Sequence, residues 1–179
     1  INAVDLAAIG SSTVGIVSIS NAVKIVGAQS DITAALVTPE SKVVAATALV
    51  EITDADNTIV NANDLIAIGG ATTSTVSVNN SINISGTTSE LIAALITEST
   101  RVVAANSNIT FTDTPTNNEL NIIDATTTGS ITLPNNGNYH IVTDKIISAS
   151  YLISLDSEYW TVIASAATTI TGTALDINN

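Results

Sequence analysis

Asp54, Asp56 and Asn57 crowd into one short stretch of the chain. Closely spaced Asp, Asn and carbonyl oxygens in a turn are what a hard cation such as Ca²⁺ requires. The three residues form the candidate metal site, and Asx-type turn formation is the other use of the same side chains. The equivalent turn at Asp113 carries Pro115 where the first carries Asp56, so the arrangement does not repeat. Neither the helix-loop-helix calcium loop nor the glycine-rich calcium nonapeptide occurs. His140 is the only histidine and there is no cysteine. A zinc site or a Ser-His-Asp triad would therefore have to gather around that one ring, and its Asn- and Gly-rich neighbourhood reads instead as a surface loop. The acidic pairs Asp54/Asp56 and Asp156/Glu158 could in principle cleave a sugar, but they have no partner bases. No catalytic residue is assigned, and the chain is not expected to be an enzyme. Tyr139, Tyr159 and Trp160, with Tyr151 nearby, concentrate the scarce rings in the last third and form a candidate glycan-stacking surface. Filling a wider core is the alternative use of those rings.

Whatever positions these residues is repetitive. Asp5 to Asp54 recur without a gap as Asp64 to Asp113, at a constant offset of 59. Leu6, Ile9 and Gly10 match Leu65, Ile68 and Gly69; Val43-Val44-Ala45-Ala46 matches Val102-Val103-Ala104-Ala105. Repeats of this kind stack, because one unit cannot bury its apolar face alone. Period-two alternation predicts strands at Val17-Ser18-Ile19, Val50-Glu51-Ile52, Val76-Ser77-Val78, Ile109-Thr110-Phe111, Ile131-Thr132-Leu133 and Ile170-Thr171-Gly172. One strand position per coil, taken as Ile25, Ile52, Ile84, Phe111, Ile141 and Ile170, gives a mean period of about 29 and about six coils.

Apolar residues at i, i+3 and i+4 predict short helices over 30–36 and 89–95, each opened by a Ser and an acid that suit the positive helix end. A helix over 61–69 is predicted to end at Gly69 in a left-handed cap. Segments 3–10, 116–123 and 148–155 look like further copies. Each coil thus reads strand, turn, strand, short helix. The expected architecture is an α/β repeat solenoid with a parallel sheet, spanning 1–179 as a single array. Its coils are regular over 1–120 and atypical, with the aromatics, over 121–179. An all-β parallel β-helix, in which the helices become a third strand face, is the alternative. Ile1 starts without a charged or apolar leader, the last residues restart the motif, and neither end shows a convincing cap.

The composition narrows function. Hydrophobic residues make up 45% and charged residues only 11%, which is not the balance of a disordered chain. Four basic against sixteen acidic residues give a net charge of −12, with no basic patch, so nucleic acid and anionic membranes are set aside as partners. No apolar run has the length of a membrane helix, and no membrane insertion is expected. Thr72-Thr73, Thr126-Thr127-Thr128 and Thr168-Thr169 raise ice binding, but Thr does not hold one position in every coil, and strand propensity accounts for it. Asn83-Ile84-Ser85 and Asn108-Ile109-Thr110 match glycosylation acceptors inside predicted strands.

The segments Leu120-Asn121-Ile122-Ile123-Asp124-Ala125-Thr126-Thr127-Thr128-Gly129-Ser130-Ile131 and Ile170-Thr171-Gly172-Thr173-Ala174-Leu175-Asp176-Ile177 resemble repeats of giant repetitive extracellular proteins of cyanobacteria. Degenerate copies run through most of the chain. Gly86-Thr87 with Glu90-Leu91 fits well, Gly27-Ala28 with Asp31-Ile32 less so, and Gly69 stands where that pattern has aspartate. The resemblance implies secretion, a structural or adhesive surface role often alongside calcium, and no catalytic residues. The function expected is a structural extracellular or cell-surface repeat protein that self-associates end to end into an array or filament. A glycan-binding, fibre-like adhesin using the C-terminal aromatics is the alternative. No cofactor is expected beyond the Ca²⁺ candidate.

Overall fold

The computed structural model describes residues 1–134 and the backbone of four strands beyond them. Its elements run α1 (Ala3–Ser12), β1 (Val17–Ser18), β2 (Lys24–Gly27), α2 (Gln29–Leu36), β3 (Val43–Val44), β4 (Leu49–Ile52), β5 (Ile59–Asn61), α3 (Ala62–Gly70), β6 (Val76–Val78) and β7 (Asn83–Gly86). They continue with α4 (Thr88–Leu95), β8 (Val102–Val103), β9 (Asn108–Phe111), α5 (Asn117–Asp124), β10 (Ile131–Thr132), β11 (Tyr139–Thr143), β12 (Ile146–Ser148), β13 (Trp160–Ala164) and β14 (Thr169–Thr171). The protein is a mixed α/β structure in which helices alternate with strands, and every strand pair among the described residues is parallel.

The all-β alternative does not hold, because the segments it would turn into strands are helices. Their apolar residues are spaced i, i+3, and those residues are the buried ones: Ile32 and Ala35, Leu65 and Ile68, Leu91 and Ala94, Leu120 and Ile123. Strands bury alternate residues, as at Val50 and Ile52, Ile84 and Gly86, Ile109 and Phe111. Of the helix expected over 148–155, Ser148 ends β12 and the rest lies outside the described residues.

The expected period of about 29 is corrected by the strand register. In one four-stranded sheet, β2-β4-β6-β8, Ile25, Val50, Val76 and Val102 are successive partners, at steps of 25, 26 and 26 residues. In the other, β10-β9-β7-β5, Val60, Ile84, Ile109 and Ile131 follow at steps of 24, 25 and 22. Ile52 pairs with Gly27 and Val78, not with Ile25, and Ile84 belongs to the second sheet.

The 59-residue unit is two steps plus an added segment. Asn2 pairs with Val26 and Val26 with Glu51; ten further residues, the last three of them β5, end at Asn61, the counterpart of Asn2. That segment shifts the stacking by one strand position per unit. β6 is the repeat counterpart of β1, yet it pairs with β4. β10 in turn copies β6 and pairs with β9, the counterpart of β4.

The repeat also runs past Leu120. Leu65, Ile68, Thr72 and Val76 reappear as Leu120, Ile123, Thr127 and Ile131 at an offset of 55, because four residues are missing between Asp113 and Asn117. One continuous cluster of buried apolar side chains runs from Ala3 to Leu133 through all these units. It includes Ile25, Ile52, Leu65, Ile84, Leu91, Ile109 and Leu120, each contributing about 1.5–3 kcal/mol of burial. Among the described residues no helix is long and apolar enough to cross a membrane.

Candidate functional site

The acidic turn after β4 lies between successive layers, and its side chains bond in both directions. Asp54 Oδ2 accepts the backbone N–H of Gln29 at 2.6 Å, capping α2 from a strand layer later. The N-cap residue of α2, Ala28, supplies no side-chain bond, so the capping expected from Ser30 and Asp31 comes from Asp54 instead. Asp56 Oδ1 accepts from Ser81 N at 2.8 Å, and Asn80 Nδ2 donates to the Asp54 carbonyl at 2.7 Å. Asn57 takes a left-handed conformation with φ 65, donates to the Ser81 carbonyl at 2.9 Å and accepts from Asn83 Nδ2 at 3.3 Å. Asn tolerates that conformation better than most residues.

The Asp54 side chain therefore serves the preceding layer, whereas its carbonyl, Asp56 and Asn57 serve the following one. This geometry fits an inter-layer brace. Among the described residues no group of three or more His, Cys, Asp or Glu side chains is placed to hold a metal ion.

The counterpart turn repeats half of this brace. Asp113 Oδ1 accepts from both Thr88 N and Thr88 Oγ1 at 2.7 Å, so α4 is capped from the turn after β9 just as α2 is from the turn after β4. α4 also carries a capping box, with Glu90 Oε2 accepting from Thr87 N at 2.8 Å and Glu90 N donating to Thr87 Oγ1. α5 has the same box in Thr116 and Glu119. The Thr87 backbone and side-chain bonds, with a further one from Asn63, hold the Glu90 carboxyl below its ordinary value. The Thr116 hydroxyl and backbone do the same for Glu119.

The threonine pairs are brackets as well. Thr73 N donates to the Ala46 carbonyl and Thr72 Oγ1 to the Ala48 carbonyl, across the junction of the first and second units. Thr128 N and Thr127 Oγ1 donate in the same way to Ala105 and Ser107. Thr72 and Thr127 are buried, which accounts for their recurrence without an ordered outer face. Both acceptor motifs for glycosylation lie in strands, and their Asn side chains bond across layers, Asn83 to Asn57 and Asn108 to Ser130.

Gly69 does not adopt the expected left-handed cap, since no described glycine has positive φ. It is instead a point of close approach. A Cβ there would overlap the backbone of Thr100, and one on its counterpart Gly10 would overlap the backbone of Ser41.

Of the aromatic candidates, Tyr139 and Trp160 fall on strands beyond the regular units. β11 and β13 pair in parallel and place Tyr139 directly opposite Trp160, with His140 opposite Thr161. Tyr159, Tyr151, Asp156 and Glu158 lie outside the described residues. Inspection for single motifs passes over the brackets and the trans-capping aspartates. The constant offset was the signal that could have found them, since Asp54/Asp113 and Thr72/Thr127 are equivalent pairs. Comparison with known proteins gave no matching family, no matching curated protein and no matching solved structure.

Proposed function

We propose that this chain is a structural repeat protein, a continuous α/β solenoid of about six coils that serves as a segment or subunit of an extracellular array or filament stacked end to end. The observation that carries this reading is the recurring junction. The Thr72/Thr73 bracket on Ala46 and Ala48 is rebuilt by Thr127/Thr128 on Ala105 and Ser107. A junction that works twice in succession is an addition rule, and a head-to-tail rule that does not close into a ring extends along one axis. Most polar groups singled out by the sequence are engaged in bracing layers, which suits a load-carrying rod better than a catalyst. Light scattering and electron micrographs of the purified chain test this. Concentration-dependent rods are the expected result, and a stable monomer at every concentration removes the reading.

A second reading, a glycan-binding adhesin, draws support from the register of Tyr139 and Trp160, two of the few aromatic residues of the chain, whose backbones are partners in β11 and β13. Paired rings can stack on the apolar face of a sugar. Trp160→Ala is then expected to lose binding on a glycan array while keeping its circular dichroism spectrum. Unchanged binding rejects this reading.

A further inference from the structure

We infer, resting on the end-to-end reading above, that the α1–β1 layer receives a second copy of this chain, whose β13 edge pairs in parallel with β1. Each internal junction sets a precedent. The second unit joins the first by β6 pairing with β4, and the next segment joins by β10 pairing with β9. β1 is the repeat counterpart of β6, yet among the described residues β3 is its only strand neighbour. At the internal junction the joining side chains are covered, with Ile68, Val76 and Ile82 all at 0% exposure. Their counterparts in the first unit are not: Ile9 is 55% exposed, and Val17 and Val23 are half-buried. Beside them Val14 and Ile16 stand 101% and 75% exposed, where the second unit has Thr73 and Thr75. An apolar layer bordered by an unpaired strand edge is a template for another strand.

The fold also indicates which strand fills it. β4 and β9, the strands that receive β6 and β10, each pair on the other side with an earlier strand of their unit, β2 or β7, one strand removed in sequence. β13 holds the same relation to β11, and among the described residues no strand pairs with its second edge. A β1-to-β13 contact is heterologous, so repeating it without closure into a ring gives an open fibre with one polarity.

The chain has no cysteine, so single-cysteine variants report the contact directly. Ser18→Cys and Thr161→Cys, mixed and oxidised, are expected to give at least ~tenfold more disulfide-linked dimer than either variant alone, because docking raises the effective concentration of the paired thiols. The double variant Val14→Asn, Ile16→Asn alters only exposed side chains and is expected to shift the onset of assembly to at least ~tenfold higher concentration. Rods that form without mixed dimers, or with Ser18→Cys linking mainly to itself, overturn this contact and leave the end-to-end reading standing. A chain that stays monomeric at every concentration overturns both.

Discussion

The Asp54 carboxylate accepts the backbone N–H of Gln29 at 2.6 Å, so the first turn of α2 is capped by a residue from the following strand layer. Asp113 does the same for Thr88 and takes the buried Thr88 hydroxyl as well. In each unit, helix formation is thereby tied to completion of β4 or β9, a local interaction made dependent on stacking. Asp54→Ala is expected to cost about 1 kcal/mol, the usual worth of an N-cap side chain. Asp113→Ala is expected to cost more, because it also leaves a buried hydroxyl without its acceptor. Urea unfolding followed by circular dichroism measures both, and equal, negligible losses would show that these aspartates do not cap.

Acid should weaken α4 and α5 through their capping boxes. Glu90 and Glu119 are each held below the ordinary glutamate value by bonds to Thr87 and Thr116. A carboxyl with a depressed folded value stabilises the fold above its unfolded value, and that contribution is lost as pH falls through the folded one. The urea midpoint is therefore expected to drop on acidification below the ordinary glutamate range. Glu90→Gln with Glu119→Gln keeps an acceptor at the same position and should flatten that dependence. An unchanged slope in the double variant would assign the acid sensitivity to other groups.

Helices and strand faces were readable because they depend on short spacing, as Ile32 with Ala35 and Val50 with Ile52 show. Strand partners were not. Val50 and Ile52 are both buried, so alternation fixes their face but cannot choose which of them lies opposite Ile25. The ten-residue addition over 52–61 inflated the apparent period, since dividing a repeat into equal halves assumes equal coils. Among the candidate site residues, Asp54, Asp56 and Asn57 stood out for clustered oxygens, but their partners lie some 25 residues away. No local pattern reveals such partners; only the equivalence of Asp54 with Asp113 points to them.

Adjacent glycines should respond in opposite ways. A Cβ on Gly69 would collide with the Thr100 backbone, which cannot move aside as a flexible side chain can, whereas one on Gly70 meets nothing within 4 Å. Gly69→Ala is expected to destabilise by about 1–3 kcal/mol or more through overpacking. Gly70→Ala, at the end of α3, should be neutral or stabilise by up to about 1 kcal/mol by restricting the unfolded chain. Thermal melts of the two variants decide this, and a harmless Gly69→Ala would mean that the α3 contact with the Thr100 turn is loose.

The hydroxyl of Ser107 is fully buried and has no hydrogen-bond partner, whereas its counterpart in the preceding unit is Ala48. Both positions offer their backbone carbonyl to a threonine bracket, so the extra oxygen is not needed for the junction. Ser107→Ala is expected to stabilise by about 1 kcal/mol through removal of an unsatisfied polar group. A loss of stability would show that the hydroxyl is engaged after all.

The brackets themselves are the most direct probe of how the units hold together. Thr72 Oγ1 donates to the Ala48 carbonyl and accepts from Ser74 N at 3.1 Å; Thr127 Oγ1 donates to the Ser107 carbonyl and accepts from Gly129 N at 2.9 Å. Valine has nearly the same shape, so Thr72→Val keeps the packing but leaves a carbonyl and an N–H without this partner at the junction. Each such group costs about 1–3 kcal/mol when it stays buried. Thr72→Val and Thr127→Val act at separate junctions, and their costs should add to within about 0.5 kcal/mol if unfolding remains a single event. In a linear stack, however, stability is a sum of unit and interface terms, so a weakened junction can let one end open first. Hydrogen exchange separates the two outcomes. Thr127→Val is expected to speed exchange in α5 and β10 while β2 and β4 keep their protection. Uniform acceleration along the whole chain would instead mean that the units unfold together and that these junctions are not their boundaries.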